Sequence, residues 1–264
     1  MNLELLTKQV ANLSRAMGSY IKSELKNITN EDIENKGFND FVTYVDKTSE
    51  ERLVQELAKL LPEAGIIAEE GSGYHTAEQF NWVVDPLDGT TNFIHGAPPY
   101  SISIALMNRH EIVIGVVYEV VQNECFYAWK NGGSYLNGHK IQVSAHERLS
   151  SCLIATGFPY TDFSRLDGYL KVFTHMMKQS HGVRRLGSAA ADLAYVACGR
   201  YDAFFEYGLH PWDVAAGAIL VNEAGGFVAD FKGENDFIYG QEIVAGNQSI
   251  YGEFLNVIKD GFSQ

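Results

Sequence analysis

The chain has 264 residues, 46% hydrophobic and 20% charged, enough to bury the core of one large domain or two small ones and unlike a disordered or low-complexity protein. Lys and Arg number 20 against 33 Asp and Glu, a net charge of −13, and such a field repels nucleic acid and anionic membrane surfaces. It also repels a phosphorylated substrate unless cations intervene, and no apolar run approaches the roughly 18 residues of a membrane span.

Residues 1–20 lack the basic start and continuous apolar run of a secretory signal. Leu3, Leu6, Val10, Leu13, Met17, Tyr20, Ile21 and Leu25 recur at helical spacing and predict one amphipathic helix. The polar, Gly-broken stretch from Asn27 to Phe41 suggests a short hairpin. A second helix is predicted over Asp46–Leu61, with Leu53, Leu57 and Leu60 on one face and Pro62 after it. Ile66–Ala68 and Trp82–Val84 read as short buried strands that each end in acid, Glu69-Glu70 after the first and Asp85 after the second. Residues 100–121 read as a hairpin turning at 108–111, followed by a strand over Glu124–Trp129 and turns at Asn131-Gly-Gly-Ser and Leu136-Asn-Gly.

The second half alternates. Strands are predicted at Leu153–Thr156, Val183–Leu186, Ala203–Glu206, Gly226–Ala229 and Ile243–Ala245, with helices near 163–179, 188–198, 212–224 and 248–259. We read one unit over 1–264 with an α+β lobe to about residue 150 and an α/β lobe over 151–264. The three cysteines, Cys125, Cys152 and Cys198, are odd in number and form no C-x-x-C. A disulfide framework and a zinc site are therefore not expected, and a reducing cytoplasm is.

The chemistry concentrates in Trp82-Val-Val-Asp85-Pro-Leu-Asp88-Gly-Thr-Thr-Asn-Phe93. Asp85 and Asp88 can turn toward one point past a strand end, with the Leu87 carbonyl as a further oxygen. Such a cage suits a hard divalent cation. Gly89 lets backbone approach a ligand, and a helix starting at Gly89-Thr90 would offer free N–H groups to an anion. Two aspartates alone also fit a plain turn in which Asp88 caps that helix. Glu69-Glu70 beside Asp85 is costly without a cation, although a solvated charge pair is the simpler reading of those two alone. Asp213 falls in the first turn of the helix opened by Pro211-Trp212, where a carboxylate also favours the helix dipole. Gly187-Ser188-Ala189 is a strand-to-helix junction that fits either close packing or substrate contact through N–H groups. Arg184-Arg185 could attract an anion, although at least one of the two is expected to pair structurally. The glycines of Gly133–Gly138 mimic a P-loop, but His139 and Lys140 stand where Lys and Ser/Thr belong.

Together with Tyr201-Asp-Ala-Phe-Phe-Glu206 and His210-Pro-Trp-Asp213-Val-Ala-Ala-Gly217, these motifs resemble the inositol monophosphatase family of Mg²⁺-dependent, lithium-sensitive phosphatases. The resemblance implies a layered α/β/α/β/α sandwich and a homodimer. It implies two or three Mg²⁺ ions per site, held by Glu69, Asp85, the Leu87 carbonyl, Asp88 and Asp213, with Lys36 near the outer ion. Thr90 and Asp46, or Glu69, would take the proton of the attacking water. Leu87, Asp88, Gly89, Thr90, Gly187, Ser188, Ala189, Glu206 and Asp213 match substrate-contacting positions, Glu206 facing polyol hydroxyls. Ala68 departs from the usual glycine, and the loop over 71–80 has its own composition.

The implied reaction is hydrolysis of inositol 1-phosphate or a similar polyol or sugar phosphate by a metal-activated water. Fructose-1,6-bisphosphatase, 3′-phosphoadenosine 5′-phosphate phosphatase and histidinol phosphatase are rivals within the family. Thr91 stands where nucleotide-directed members often carry a charge. A non-catalytic binding protein on the same scaffold is the rival of another class. Neither nucleic acid nor a membrane is expected as a partner.

Overall fold

The structure, a computed structural model, describes residues 1–37, 40–160 and 162–263, with the side chains of Asn30, Lys36 and Asp40 left out. Helix α1 (Leu3–Glu24) starts where the Asn2 side chain accepts the Leu5 N–H at 3.0 Å, and it buries Leu6, Val10, Met17 and Ile21 along one face. Strands β1 (Ile33–Gly37) and β2 (Asp40–Thr43) form the expected hairpin. Helix α2 (Tyr44–Leu60) begins two residues earlier than predicted, because Thr43 caps it and Asp46 completes a capping box by accepting the Thr43 N–H at 2.8 Å. Asp46 is thus inside the first turn, fully buried.

The first large sheet has seven strands in spatial order β3-β4-β5-β6-β7-β8-β9. They are β3 (Gly65–Ala68), β4 (Phe80–Asp88), β5 (Ser101–Asn108), β6 (Glu111–Glu119), β7 (Glu124–Trp129), β8 (Gly133–Leu136) and β9 (His139–Ile141). Only β3 and β4 pair in parallel. The hairpin between β5 and β6 turns at Arg109, which takes a φ of 58°. Between β4 and β5 lies the short helix α3 (Thr90–Ile94).

The second sheet contains β10 (Leu153–Thr156), β11 (Gly182–Arg184), β12 (Ala203–Tyr207), β13 (Gly226–Ala229) and β14 (Glu242–Asn247), in the order β11-β10-β12-β14-β13. Its helices are α4 (Leu166–Gln179), α5 (Ala189–Ala197), α6 (Pro211–Glu223) and α7 (Tyr251–Phe262). Three boundaries differ from expectation, the first being the start of α4 at Leu166 rather than near 163. β11 stops at Arg184, so Arg185 and Leu186 leave the sheet, and residues 248–250 form a 3-10 turn ahead of α7.

Three cores stack these elements into the expected α/β/α/β/α sandwich. Val10 and Ile21 of α1 and Leu53 and Leu57 of α2 pack on Trp82, Ile104 and Val116 of the first sheet. The opposite face of that sheet, through Val83, Ala105 and Phe126, meets α5 and α6, whose other side rests on Phe204 and Ala245 of the second sheet. Tyr169 and Met176 of α4 and Phe254 and Ile258 of α7 cover its far face. A helix between two sheets must be apolar all round, and α6 is, with Val214–Val221 buried without interruption. Small residues bring it close. A side chain on Gly217 would overlap Leu193 of α5, and one on Gly115 of β6 would overlap Ile219. Among the described residues, no helix is long and apolar enough to cross a membrane.

Candidate active site

The site lies where the C-terminal end of β4 meets the N-termini of α5 and α6. Strand β4 runs through Asp88 rather than ending before Asp85, and its pairing shifts between Asp85, opposite Ser103, and Asp88, opposite Ser101. Three residues of β4 therefore span two of β5. In a regular strand, side chains three apart point to opposite faces. The extra residue, placed around Pro86, turns Asp85 and Asp88 to the same side. Asp213 arrives from the first turn of α6, and one carboxylate oxygen from each of the three lies within 4.8 Å of the others.

Each acid is fixed by its own hydrogen bond. Asp85 accepts the Leu87 N–H at 2.9 Å, and Asp213 accepts the His210 N–H at 2.7 Å. Asp88 does not cap α3. The cap of that helix is Gly89, at φ 94°, and Asp88 instead accepts from the Ser188 hydroxyl at 2.6 Å and the Ala190 N–H at 2.8 Å at the start of α5. The N–H groups of Ala189 and Ala190 thus serve a carboxylate directly.

Two like charges about 5 Å apart repel by about 3 kcal/mol at an effective dielectric of about 20. Burial, then the charges of Glu69, Asp88 and Asp213, push Asp85 well above the ordinary carboxylate range. Burial, then Asp88, does the same to Asp213. Asp88 is pushed up to about 6 by burial, against the pull of its bonds from Ser188 and Ala190. A hard divalent cation would relieve all three, and oxygen-only donors at this spacing fit one. Glu69, at the end of β3, lines the same cavity. Its turn is stapled by buried Glu50 of α2, which accepts the Glu70 N–H at 2.7 Å and the Ser72 N–H at 2.6 Å.

Beside the acids, the Thr90 hydroxyl reaches Asp46 Oδ1 at 2.8 Å and the Leu87 carbonyl at 3.1 Å. It has one proton to give, so it donates to one and keeps a lone pair for a water in the cavity. Asp46 is raised by burial, against its bonds from Thr43 and Thr90, which makes it a better proton acceptor than a surface carboxylate. Glycine is needed at 89, because a side chain there would press on the carbonyls of Gly187 and Pro99 at 3.1 and 3.2 Å. Glu206, at the end of β12, faces the cavity, raised to about 8 chiefly by burial. Of the predicted site residues only Lys36, on β1, has its side chain outside the described part.

Three contributors escaped the sequence reading. Glu50 follows Asp46 and precedes Leu53 and Leu57 on the buried face of α2, so an acid on an apolar stripe was its signal. Asn92 bridges the two halves of the site, donating to the Pro99 carbonyl at 2.7 Å and the Leu186 carbonyl at 2.8 Å. Its signal was its place in the aspartate motif. Gly157 gave no signal, yet a side chain there would overlap the Glu206 carboxylate.

The sequence profile described as the Inositol monophosphatase family matches residues 2–260. The chain belongs to that family. It is 42% identical over 251 residues to a protein of Pseudomonas aeruginosa named Nus factor SuhB, covering 93% of both chains. It is 39% identical over 247 residues, again 93% of both, to the Inositol-1-monophosphatase of Mesorhizobium japonicum. Among solved structures, the extragenic suppressor protein suhB of Bartonella henselae superposes with a TM-score of 0.90 at 38% identity, over 99% of this chain and 100% of that one. The IMPase of Thermotoga maritima gives 0.86 at 36% identity, over 95% of each chain.

In a family member built this way, Thr90→Ala is expected to lower kcat by about 10²-fold, the scale of a lost proton-transfer contact. Metal affinity should stay within about threefold, since the hydroxyl bonds Asp46 rather than joining the acid cluster. Calorimetric titration with Mg²⁺ beside steady-state kinetics checks both. A collapse of metal binding would show that Thr90 supports the cage instead.

Proposed function

We propose that this chain is a Mg²⁺-dependent, lithium-sensitive phosphomonoester hydrolase that releases phosphate from inositol 1-phosphate or a similar polyol or sugar phosphate. The observation that carries the reading is the convergence of Asp85, Asp88 and Asp213 near the Thr90–Asp46 hydrogen bond, with Asp88, Thr90 and Asp213 lining a cavity of about 360 Å³. That volume suits a small ligand.

In this reading Glu69, Asp85, the Leu87 carbonyl, Asp88 and Asp213 would hold the ions, with Lys36 beside the outer one. When bound, the ions supply positive charge against the phosphate and lower the pKa of water. The protein does the rest. Ser188 and Ala190 hold Asp88 in place, and His210 holds Asp213. The Thr90 hydroxyl accepts a hydrogen bond from the attacking water while donating to Asp46, so a proton leaving the water has a carboxylate to go to. Gly89, Gly187 and Ala189 leave room for the phosphate. Glu206 accepts from hydroxyls of the leaving group.

Phosphate release from a panel of esters tests the substrate. Inositol 1-phosphate should show the highest kcat/KM. A preference for fructose 1,6-bisphosphate, 3′-phosphoadenosine 5′-phosphate or histidinol phosphate would overturn the polyol assignment, and no release from any would favour a binding protein. Glu206→Ala should raise KM for inositol 1-phosphate several-fold while leaving p-nitrophenyl phosphate almost unchanged, because binding lost equally in ground and transition states moves KM alone. Equal losses on both esters would assign Glu206 to the metal site or the fold.

A homodimer belongs to the same reading. Leu170 and Met177, seven residues apart on α4, are 46% and 53% exposed, and Phe163 just ahead of that helix is 50% exposed, an apolar patch of the kind that partners cover. Sedimentation at micromolar concentration tests it, and a monomer would refute it. A second role as a Nus factor is favoured by the relatives named Nus factor SuhB. With a net charge of −13, direct contact with nucleic acid stays outside the reading, and a gel shift with RNA at low salt would overturn that exclusion.

A further inference from the structure

The wall of the cavity also holds a cation that the reaction described above does not use. Arg185 leaves the edge of β11, and its guanidinium lies 4.9 Å from the Tyr160 ring centre and 5.3 Å from that of Phe158. Both rings line the cavity with it. Aromatic faces hold a guanidinium in place and leave its in-plane N–H groups free to donate. Its Nε is buried without a hydrogen-bond partner, and no carboxylate stands within ion-pair distance of it among the described residues. A buried donor without a partner is costly, and such groups persist mainly where a ligand or water completes them.

The seat is built by glycine. A Cβ on Gly187 would stand 2.5 Å from Arg185 Nη1, and one on Gly157 would overlap the Glu206 carboxylate. Both groups therefore lie flat against backbone, a donor and an acceptor on one wall. Asp192 of α5 is buried nearby with Oδ1 unpartnered. The charge of Arg185 acts on Glu206, Asp88 and Asp192 alike. One guanidinium thus acts on three carboxyl groups. A hydroxyl oxygen of a ligand in the cavity would use the free donors.

We infer that Arg185 is a specificity-determining residue of the leaving-group pocket, donating to hydroxyl oxygens of a neutral polyol while Glu206 accepts from its neighbours. This rests on the phosphatase reading above. The pair discriminates because a site built for hydroxyls pays for their absence with unpaired polar groups.

The test compares the native protein with R185Q and R185K on inositol 1-phosphate, p-nitrophenyl phosphate and fructose 1,6-bisphosphate, with thermal unfolding of each. R185Q should raise KM for inositol 1-phosphate on the order of tenfold, the scale of a lost charge-assisted hydrogen bond, with kcat within about twofold. Losses on p-nitrophenyl phosphate should stay under about twofold. R185K keeps the charge but not the planar fork, and should fall between native and R185Q. Equal losses on the first two esters, accompanied by a lower melting temperature, would reduce Arg185 to a packing role and overturn the inference. A loss concentrated on the bisphosphate would overturn it in favour of anion binding. If the native protein cleaves p-nitrophenyl phosphate but not inositol 1-phosphate, the polyol reading itself fails, and the inference with it.

Discussion

Exhaustive chelation should abolish phosphate release, and Mg²⁺ should restore it. Asp85, Asp88 and Asp213 bring carboxylate oxygens within 4.8 Å of one another, and without a cation this arrangement opposes both folding and substrate. The folded protein raises all three acids, Asp88 to about 6 from 3.8. The sign of the linkage follows. A raised folded pKa means the unfolded chain gives up its protons more readily. The stability these groups contribute is full below about pH 4, the unfolded value, and is lost as pH rises through the folded values. The metal-free protein should therefore melt at falling temperature as pH climbs from about 4.5 to 7. Saturating Mg²⁺ favours the ionised acids and should flatten or reverse that slope. Calorimetry at several pH values, with EDTA or Mg²⁺, reads it. Activity that survives chelation, or identical pH slopes in both conditions, would refute a cation-dependent cage.

Asp85→Asn should lower kcat by at least 10²–10³-fold, the usual scale for one lost transition-state stabiliser, whereas Glu70→Gln should stay within about tenfold of native. Asp85 is the most enclosed of the three acids, 2% exposed, and the charges of Glu69, Asp88 and Asp213 all act on it. Glu70 is not one of the three clustered acids, and its backbone N–H is tied to Glu50. The same substitution removes a buried like charge, so metal-free Asp85→Asn should melt higher than the native protein and gain less from Mg²⁺. A merely structural Asp85 would give the opposite, a lower melting temperature with activity falling in proportion to folded protein. Comparable kcat values for the two variants would show that Asp85 is not central to the cage.

Several features were legible before any coordinates. The 3.6-residue period of Leu6, Val10, Met17 and Ile21 specifies the buried face of α1, because a helix has to place that period on one side. Acids at the ends of β3 and β4 stand out because burying one there is costly without a purpose. The aspartate motif, taken with the motifs around Glu206 and Asp213, carried the family.

Other features depend on contacts between segments far apart in sequence. Asp85 and Asp88 share a side only because the pairing of β4 against β5 shifts by one residue, and pairing with a partner strand is not written in either strand alone. Asp88 reads locally as a cap for α3, yet it meets Ser188 and Ala190 a hundred residues away. Glu206 reaches the cavity because Gly157 of another segment leaves space beneath its carboxylate. Arg185 reads locally as one of two adjacent arginines. Its place between Phe158 and Tyr160, with Nε unpartnered, exists only once β11 lies beside β10. The sequence by itself determined the helices, most strands, the acids and the family, because periodicity and motif are local properties of the chain. The tertiary structure decided which oxygen faces which, because that depends on strand register, on close backbone approach and on helix ends that only packing brings together.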